Sequence, residues 1–360
     1  MSSPLDVADL RARVQACLDD ELTTQREVLA ELGHDVDVLV DGIAGLLAGG
    51  KRLRAGFLWW GYRAAGGADS PALVRVASAM EMFQAAALIH DDVMDDSDTR
   101  RGRPAAHRAL AALHAEQGWE GDPVRFGAAG AILAGNLCLT WADELYATSG
   151  LPSEELARGR RLFDRMRTQL MAGQFLDVAE SVRDWRALPE AERVARARHV
   201  ITYKSAKYSI EHPLLIGALA AGADPATVEA LSRYGVALGQ AFQLRDDLLG
   251  VFGDPEVTGK PAGDDLREGK RTVLVAHTLA GADEAGRALV FDLLGKPDLG
   301  ADEVERLRAV IRDSGGEAAV EAEIDELTTA ARAALEQADL TAEGRTALDQ
   351  LVEATTARAA

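Results

Sequence analysis

The sequence of 360 residues has few cysteines, few aromatic side chains and no excess of positive charge. Cys17 and Cys138 are too few and too far apart for a disulfide framework or a zinc site, so we expect reduced core thiols. Aromatic residues make up 5% of the chain, and alanine and leucine dominate, which favours helices over sheets. The net charge of −19 argues against nucleic acid as a partner, because the phosphate backbone requires a basic surface.

Targeting signals are also lacking at the N-terminus, which is acidic and has neither the basic segment nor the apolar core of a signal peptide. The most apolar stretch, residues 127–141, is interrupted by Asn136 and is shorter than the ~20 residues that a transmembrane helix needs. We therefore expect a cytoplasmic protein without a membrane span.

No strand pattern, repeat or low-complexity linker is found, whereas helical spacing of apolar residues recurs along the chain. The sequence predicts an all-α fold with one domain over residues 1–360. The segments with chemical character lie between about residues 45 and 275. A polar, alanine-rich tail, about residues 284–360, is expected to be helical and peripheral.

An acidic cluster with five aspartates occupies residues 91–98, and three arginines follow it. In a helix, Asp91 and Asp95 lie one turn apart on the same face. Carboxylates held so close repel one another unless a cation sits among them, and Mg²⁺ prefers carboxylates, water and phosphate oxygens. The alternative is a solvated acidic helix end, but the segment before the cluster is too apolar for a surface helix.

A second aspartate pair, Asp246 and Asp247, also follows an apolar helical segment, and Gln243 lies one turn before it. We expect the two acidic clusters to face each other across one metal-diphosphate site. A basic segment supplies positive charge: Lys51 and Arg54 follow Gly49-Gly50 at the start of a predicted helix, where free N–H groups also attract anions. The alternative for these two cations is an ordinary exposed position.

Together these segments resemble the motifs of the trans-isoprenyl diphosphate synthases of the polyprenyl synthetase family. The matching segments occur in the family's order: residues 49–54 (GGKRLR), 91–95 (DDVMD), 100–102 (RRG), 203–206 (YKSA), 242–247 (FQLRDD), 257–260 (VTGK) and 265–270 (DLREGK). One aspartate motif is a weak signal, but the ordered set is specific.

The resemblance implies a helical barrel of the isoprenoid synthase type and a homodimer. It implies condensation of isopentenyl diphosphate with an allylic diphosphate (dimethylallyl, geranyl or farnesyl), with about three Mg²⁺ ions bound between carboxylates and diphosphate oxygens. Released pyrophosphate would serve as the weak base, so no catalytic histidine is required.

The resemblance also assigns residues. Those placed in metal binding are Asp91, Asp95 and Asp246, with Asp92 and Asp247 in support. Those placed at isopentenyl diphosphate are Lys51, Arg54, Gln84 and Arg101. Those placed at the allylic substrate are Arg100, Lys204, Ser205, Gln243, Lys260 and Lys270. Catalysis is assigned to the five aspartates with Arg100, Lys204, Gln243 and Lys260.

One departure from the family pattern concerns the second aspartate motif. Gly250 stands at the fifth position, where many members have an aspartate, and the next acid is Asp254. Whether Asp254 replaces the missing carboxylate is left open by the sequence.

Product length depends, by the same resemblance, on the two residues that lie four and five positions before the first aspartate. Here the residues that form the floor of the elongation tunnel are Ala87 and Ala86, both small, and Phe83 lies one further turn away as a possible stop for the growing chain. This pattern predicts geranylgeranyl diphosphate as the product. The alternative is that the alanines merely allow close helix packing.

Two other functions remain open at this point. A class I terpene cyclase uses the same fold and metal-bound aspartates, but it has no need of the cations assigned to isopentenyl diphosphate. A non-catalytic subunit of a heteromeric synthase is the second alternative, although such a subunit typically loses the acidic motifs that this chain keeps.

Overall fold

The computed structural model describes residues 4–253, 263–296 and 298–356, and these are almost entirely helical. The prediction of an all-α fold is confirmed. Contacts between α-carbons divide the chain into two compact units. One comprises Met1–Arg160 with Ile216–Gly222, and the other Arg161–Leu215 with Ala223–Ala360.

The first unit contains six complete α-helices, after a short 3₁₀ segment at Pro4–Asp9. The helices are α1 (Leu10–Leu29), α2 (Asp37–Leu47), α3 (Leu53–Ala64), α4 (Pro71–Met94), α5 (Ala106–Glu116) and α6 (Pro123–Ala147), with 3₁₀ turns at Ala30–Leu32 and His34–Val36. Helices α7 (Ser153–Ser181) and α9 (His212–Ala221) belong partly to each unit.

A short antiparallel strand pair interrupts the helices of the first unit, which corrects the expectation that the chain has no strands. Strand β1 (Thr99–Arg100) pairs with β2 (Arg103–Pro104). Two-residue strands show no alternation of polar and apolar residues, so the sequence pattern could not reveal them.

The second unit contains α8 (Glu190–Val200), which continues without interruption into a π-helical segment, Ile201–Glu211. Helix α10 (Pro225–Phe252) follows α9. The remaining helices are Asp264–Glu268, Val273–Gly281, Glu284–Leu293, Ala301–Asp313, Gly316–Leu335 and Ala342–Thr356.

Helix α4 forms the centre of the first unit. Ser70 Oγ accepts a hydrogen bond from the N–H of Leu73, and Pro71 occupies the first helical position, so the helix has a well-defined start. By length and composition α4 passes the test for a membrane-spanning helix, but 72% of its most apolar window is buried within the protein. Its apolar character is therefore that of a core helix.

Helix α6 also passes that test, and 33% of its window is buried. We argued from the sequence that residues 127–141 are too short to span a membrane. That argument was wrong, because the helix extends over 25 residues, Pro123–Ala147. Its exposed face carries large apolar side chains, among them Val124, Ile132 and Leu133. Two such helices are weak evidence for a membrane span, since core helices share their composition.

Helix α10 forms the centre of the second unit. Asp224 caps its start by accepting hydrogen bonds from the N–H groups of Ala226 and Thr227. Along one side it packs on the π-helical segment, and a Cβ on Gly239 would lie 2.6 Å from the α-carbon of Ala206. Glycine is needed here because the two backbones are in contact.

The C-terminal tail is not peripheral, contrary to the expectation from its polar composition. Helix Gly316–Leu335 packs along α10, and Val320 and Ile324 are buried in the core of the second unit. Both oxygens of the Glu321 carboxylate accept hydrogen bonds from Arg245 on α10, at 2.5 and 2.6 Å. The acidic residues and Arg332 of this helix are not buried, because its other faces meet solvent.

Candidate active site

The first acidic cluster lies at the C-terminal end of α4. The N–H of Asp95 donates a hydrogen bond to the carbonyl of Asp91 over 2.8 Å, so these two aspartates are one helical turn apart, as predicted. Asp95 is the last residue in helical conformation, and the N–H of Ser97 bonds to the carbonyl of Asp92. The carboxylates therefore gather where the polypeptide leaves the helix.

A tight hairpin follows at once and presents the arginines. Arg101 and Gly102 form its two-residue turn with φ of +54° and +71°, the sign that a type I′ turn requires at both positions. Glycine adopts this conformation without strain, whereas Arg101 does so less readily. The hairpin turns Arg100 back toward the end of α4.

Arg100 lies against the aspartate pair. Its Nε donates a hydrogen bond to Oδ1 of Asp92 over 2.8 Å, and its Nη2 lies 3.8 Å from Oδ2 of Asp91. The side chain of Asp92 is 2% exposed and that of Asp91 18% exposed. In this structure Asp92 thus anchors Arg100, while Asp91 retains access to solvent; its predicted part in metal binding stays a prediction.

The basic segment before α3 lies beside α4. Arg52 is buried with φ of +52°, and its guanidinium lies 3.6 Å from the carboxylate of Glu81 on α4. The same carboxylate accepts a hydrogen bond from the N–H of Ala55 over 3.0 Å. One free N–H at the start of α3 is therefore already satisfied, whereas Lys51 is exposed and Arg54 half-buried.

Several of the predicted cations are close enough to influence one another. Burial lowers the pKa of Arg101, Glu81 opposes this effect, and the positive charges of Arg52, Arg100 and Arg54 lower the pKa further. Arg101 Nη1 also donates to the carbonyl of Leu46 over 2.7 Å. The first unit therefore brings Arg54, Arg100 and Arg101 into one positively charged region, next to the helix that carries Gln84.

His90 adjoins the aspartates but is held by packing. Its Nε2 lies 3.2 Å from the carbonyl of Ile132 on α6, and a Cβ on Gly135 would fall 2.1 Å from the same nitrogen. The imidazole thus fills a notch between α4 and α6. It serves as a packing residue in this arrangement, and nothing in its contacts requires a catalytic role.

The residues predicted to set product length lie farther up α4. Phe83 and Ala86 are fully buried, whereas Ala87 is half-buried. Ala87 lies one turn before Asp91 on the same face of the helix. A larger side chain at position 87 would therefore project from the same face of α4 as the Asp91 carboxylate.

In the second unit, Lys204 and Ser205 lie on the π-helical segment. Segments of this kind are rare and are frequent at functional sites. Lys204 Nζ lies 2.5 Å from Oδ2 of Asp177 on α7. Asp177, which sequence reasoning missed, therefore orients the predicted substrate lysine.

The second aspartate pair lies near the end of α10. Asp246 is exposed, whereas Asp247 is 5% exposed. Gln243 Nε2 donates to Oδ1 of Asp247 over 2.8 Å. Oδ2 of Asp247 is buried and has no hydrogen-bond partner in the part of the chain that the structure describes.

Negative charge is concentrated around Asp247. Burial raises the pKa of Asp247 well above its usual range, and the carboxylate of Asp265 raises it further. The hydrogen bond from Gln243 and the charge of Lys270 act in the opposite direction. Lys270 lies 3.2 Å from Oδ1 of Asp265, so this predicted lysine meets the second acidic cluster. Lys260 and Asp254 lie outside the described residues.

A divalent cation fits the chemistry of these carboxylates. The unpartnered buried oxygen of Asp247 and the repulsion from Asp265 are both relieved by positive charge. Within the described ranges, no three His, Cys, Asp or Glu side chains are arranged to hold a metal ion by themselves. Mg²⁺ needs no such cage, because it typically takes one or two carboxylates and completes its shell with water and phosphate oxygens.

Two functional contacts could not be found from the sequence. Glu81 and Asp177 each hold a cation or backbone group that belongs to a different segment. Their partners lie 26 and 27 residues away along the chain. A lone acid in an ordinary helix gives no sequence signal for such a contact.

Comparison with known proteins adds to this geometry. A family model described as polyprenyl synthetase matches residues 37–311. The structure of a geranylgeranyl pyrophosphate synthase from Corynebacterium glutamicum, solved with isoprenyl diphosphate and magnesium, aligns with a TM-score of 0.92 and 40% identity. The alignment covers 98% of this chain and 100% of that chain.

Two sequence relatives extend the comparison. A geranylfarnesyl diphosphate synthase from Aeropyrum pernix is 35% identical over 272 residues, which is 74% of this chain and 77% of the relative. A (2E,6E)-farnesyl diphosphate synthase from Mycobacterium tuberculosis is 34% identical over 270 residues, 74% and 68% of the two chains. The relatives are named for products of different length, so overall identity does not determine that property.

Proposed function

The chain belongs to the polyprenyl synthetase family, and from this we propose that its main product is geranylgeranyl diphosphate. It is a prenyltransferase that joins isopentenyl diphosphate head to tail with an allylic diphosphate and makes a linear trans-polyprenyl diphosphate. The observation that carries the product assignment is the pair of small side chains Ala86 and Ala87 directly before Asp91, with Phe83 one turn farther along α4.

The allylic substrate is assigned to the residues that the family resemblance gives it. Arg100, fixed by Asp92, and Lys204, fixed by Asp177, are cations held in place before substrate arrives. We assign them, with Ser205, Gln243, Lys260 and Lys270, to the diphosphate of the allylic substrate. Preorganised cations stabilise the negative charge of a leaving group without the cost of reorientation during the reaction.

Mg²⁺ is the proposed cofactor, with about three ions in the loaded enzyme, since carboxylates and diphosphate oxygens are its preferred ligands. Asp91, Asp95 and Asp246 would hold it, with Asp92 and Asp247 in support. Bound Mg²⁺ stabilises the negative charge that develops on the diphosphate as the allylic C–O bond breaks. The apolar surroundings of α4 keep strong nucleophiles away from the carbocation.

Isopentenyl diphosphate is assigned to the positively charged region of the first unit. Arg54 and Arg101 belong to this region, Lys51 is exposed beside it, and Gln84 lies on the neighbouring helix. A terpene cyclase does not bind a second diphosphate substrate, so this set of cations favours the synthase. The intact aspartates likewise favour an active enzyme over a non-catalytic subunit.

A homodimer and a cytoplasmic location complete the proposal. Helix α6 carries exposed apolar side chains that a second copy would cover, among them Ile132 and Leu133. A charged substitution at Leu133 should then yield monomers in sedimentation measurements, and unchanged sedimentation would contradict the assignment.

The product assignment is tested with the purified protein, Mg²⁺, isopentenyl diphosphate and each allylic starter in separate reactions. We expect geranylgeranyl diphosphate as the main product by chromatography after phosphatase treatment. A product no longer than farnesyl diphosphate, or one of geranylfarnesyl length, would contradict the proposal.

The two alternatives give different outcomes. A terpene cyclase would release a volatile hydrocarbon from geranylgeranyl diphosphate when isopentenyl diphosphate is left out. A non-catalytic subunit would give no product with any starter when assayed alone.

A further inference from the structure

We propose that Asp265 supplies the carboxylate that is missing from the second aspartate motif, using the space that Gly250 leaves open. The inference rests on the proposed use of Mg²⁺ and concerns the carboxylates that serve it beside Asp246 and Asp247. Asp265 thereby becomes a metal-site residue of this chain, and the small residue at position 250 becomes a requirement for it.

The contact between Gly250 and Asp265 is the first support. A Cβ on Gly250 would lie 1.9 Å from Oδ2 and 2.5 Å from Cγ of Asp265. The Asp265 carboxylate therefore occupies the place where a side chain at position 250 would begin. Glycine is unfavourable inside a helix such as α10, and the close approach of this carboxylate gives it a physical reason.

The orientation of the Asp265 carboxylate is the second support. Lys270 Nζ lies 3.2 Å from Oδ1, and the N–H of Lys270 donates to the backbone carbonyl of Asp265 over 3.1 Å. With Oδ1 held by Lys270, Oδ2 is the oxygen that faces α10. Lys270 Nζ also lies 2.5 Å from the carboxylate of Glu268. The lysine therefore keeps a negatively charged partner when the Asp265 carboxylate binds a metal ion instead.

The buried carboxylate of Asp247 is an independent sign of a cationic ligand. This side chain is almost entirely buried, its Oδ1 accepts from Gln243, and its Oδ2 has no hydrogen-bond partner within the described ranges. The carboxylate of Asp265 meets the same helix at Gly250, three residues after Asp247. Carboxylates gathered in this way, one with a buried unsatisfied oxygen, are stabilised by a cation and destabilised without one.

A purely structural role for Asp265 is the competing explanation, and metal binding separates the two. Mn²⁺ replaces Mg²⁺, inorganic pyrophosphate replaces the substrate diphosphate, and free Mn²⁺ is measured by electron paramagnetic resonance. Asp265→Asn keeps the size of the side chain and should weaken Mn²⁺ binding about tenfold or more, the range found for groups that support metal ligands. The matched control is Asp264→Asn, which removes the same charge one position away and should change binding less than about twofold.

An exchange of the two side chains gives a second test that does not depend on the stability of Asp265→Asn. Gly250→Asp alone should lower both the thermal midpoint and Mn²⁺ binding, because its side chain meets the carboxylate of Asp265. Gly250→Asp combined with Asp265→Gly returns the carboxylate to position 250 and should recover Mn²⁺ binding to within about threefold of wild type.

The outcomes distinguish this inference from the proposed function. Folded Asp265→Asn that binds Mn²⁺ like wild type, or a double variant no better than Asp265→Gly, overturns the role of Asp265 and leaves the synthase assignment intact. Wild-type protein that binds no Mn²⁺ even with pyrophosphate overturns the metal proposal and the role of Asp265 with it.

Discussion

Arg100 and Asp92 form a buried ion pair between the hairpin and the end of α4, with Nε of Arg100 2.8 Å from Oδ1 of Asp92. The aspartates of the first cluster differ in burial. Asp92 is buried and holds the arginine, whereas Asp91 and Asp95 are partly exposed. We propose Asp91 and Asp95 as the metal ligands of this cluster, with Asp92 in support.

Asp92→Asn should lower both stability and substrate affinity. It removes the counter-charge of a side chain that is 15% exposed, which costs about 2 kcal/mol of unfolding free energy. Arg100 loses its fixed position, so KM for the allylic diphosphate should rise about tenfold. Urea unfolding and steady-state kinetics measure the two effects. Asp98→Asn, at an exposed ion pair with Arg108, is the control and should change neither by more than about twofold.

Ala87→Phe should shorten the product. The larger side chain enters the space one turn before Asp91, so chain growth stops at farnesyl or geranyl diphosphate. Chromatographic sizing of the dephosphorylated products measures the shift. Ala87→Ser changes the volume little and should keep the wild-type distribution. An unchanged distribution for Ala87→Phe would remove the tunnel assignment and leave close helix packing as the role of this alanine.

Gly239→Ala should destabilise the protein by about 2 kcal/mol, because the new Cβ meets the backbone of Ala206 at 2.6–2.7 Å. Gly42→Ala in α2 is the same chemical change where nothing lies within 4 Å of the new Cβ. It should stabilise the protein by about 0.5–1 kcal/mol through helix propensity. Denaturant midpoints compare the two, and effects of the same sign would show that the packing of α10 on the π-helical segment is looser than described.

His212 should make the protein sensitive to mild acid. Burial lowers its pKa from 6.5 to about 4; the carboxylate of Glu211 opposes this, and Lys207 and Arg165 reinforce it. Because the folded-state pKa lies below the unfolded one, the unfolded chain takes up the proton first. The contribution of His212 is complete above pH 6.5 and is lost as the pH falls toward 4, by about 3 kcal/mol in total.

His212→Gln tests this sign. The variant has no proton to gain at position 212, so the difference in unfolding free energy between wild type and variant should be constant above about pH 6.5 and should shrink as the pH falls from 6.5 to 4.5. Denaturant unfolding at several pH values measures it. A difference that is constant over this range would mean that the imidazole is not buried in the neutral form.

Local signals in the sequence determined much of the fold. Ser70-Pro71 and Asp224-Pro225 mark the starts of α4 and α10, since an N-cap followed by proline has a direct physical meaning. The spacing of Asp91 and Asp95 placed both on one helical turn. These features depend on residues within a few positions of one another, which is the range over which sequence patterns are informative.

The features that could not be predicted from the sequence depend on packing between distant parts of the chain. The hairpin at Arg101-Gly102 has strands too short for a pattern, and the polar tail conceals a helix whose buried stripe includes Val320. The contact of Gly250 with Asp265 joins positions 15 apart, which is beyond the range of local sequence rules. Each of these depends on which surfaces meet in the folded chain.

The position of Lys204 depends on the number of residues in the π-helical segment as well as on their identity. A π-helix closes its hydrogen bonds over one more residue than an α-helix, so it absorbs a surplus residue while the flanking helices keep their course. Removing a single residue after Lys204 would restore α-helical hydrogen bonding in this segment. It would also rotate Lys204 relative to the residues that follow it in the chain. A deletion that leaves every named side chain present would still part Lys204 from Asp177 or tilt α9.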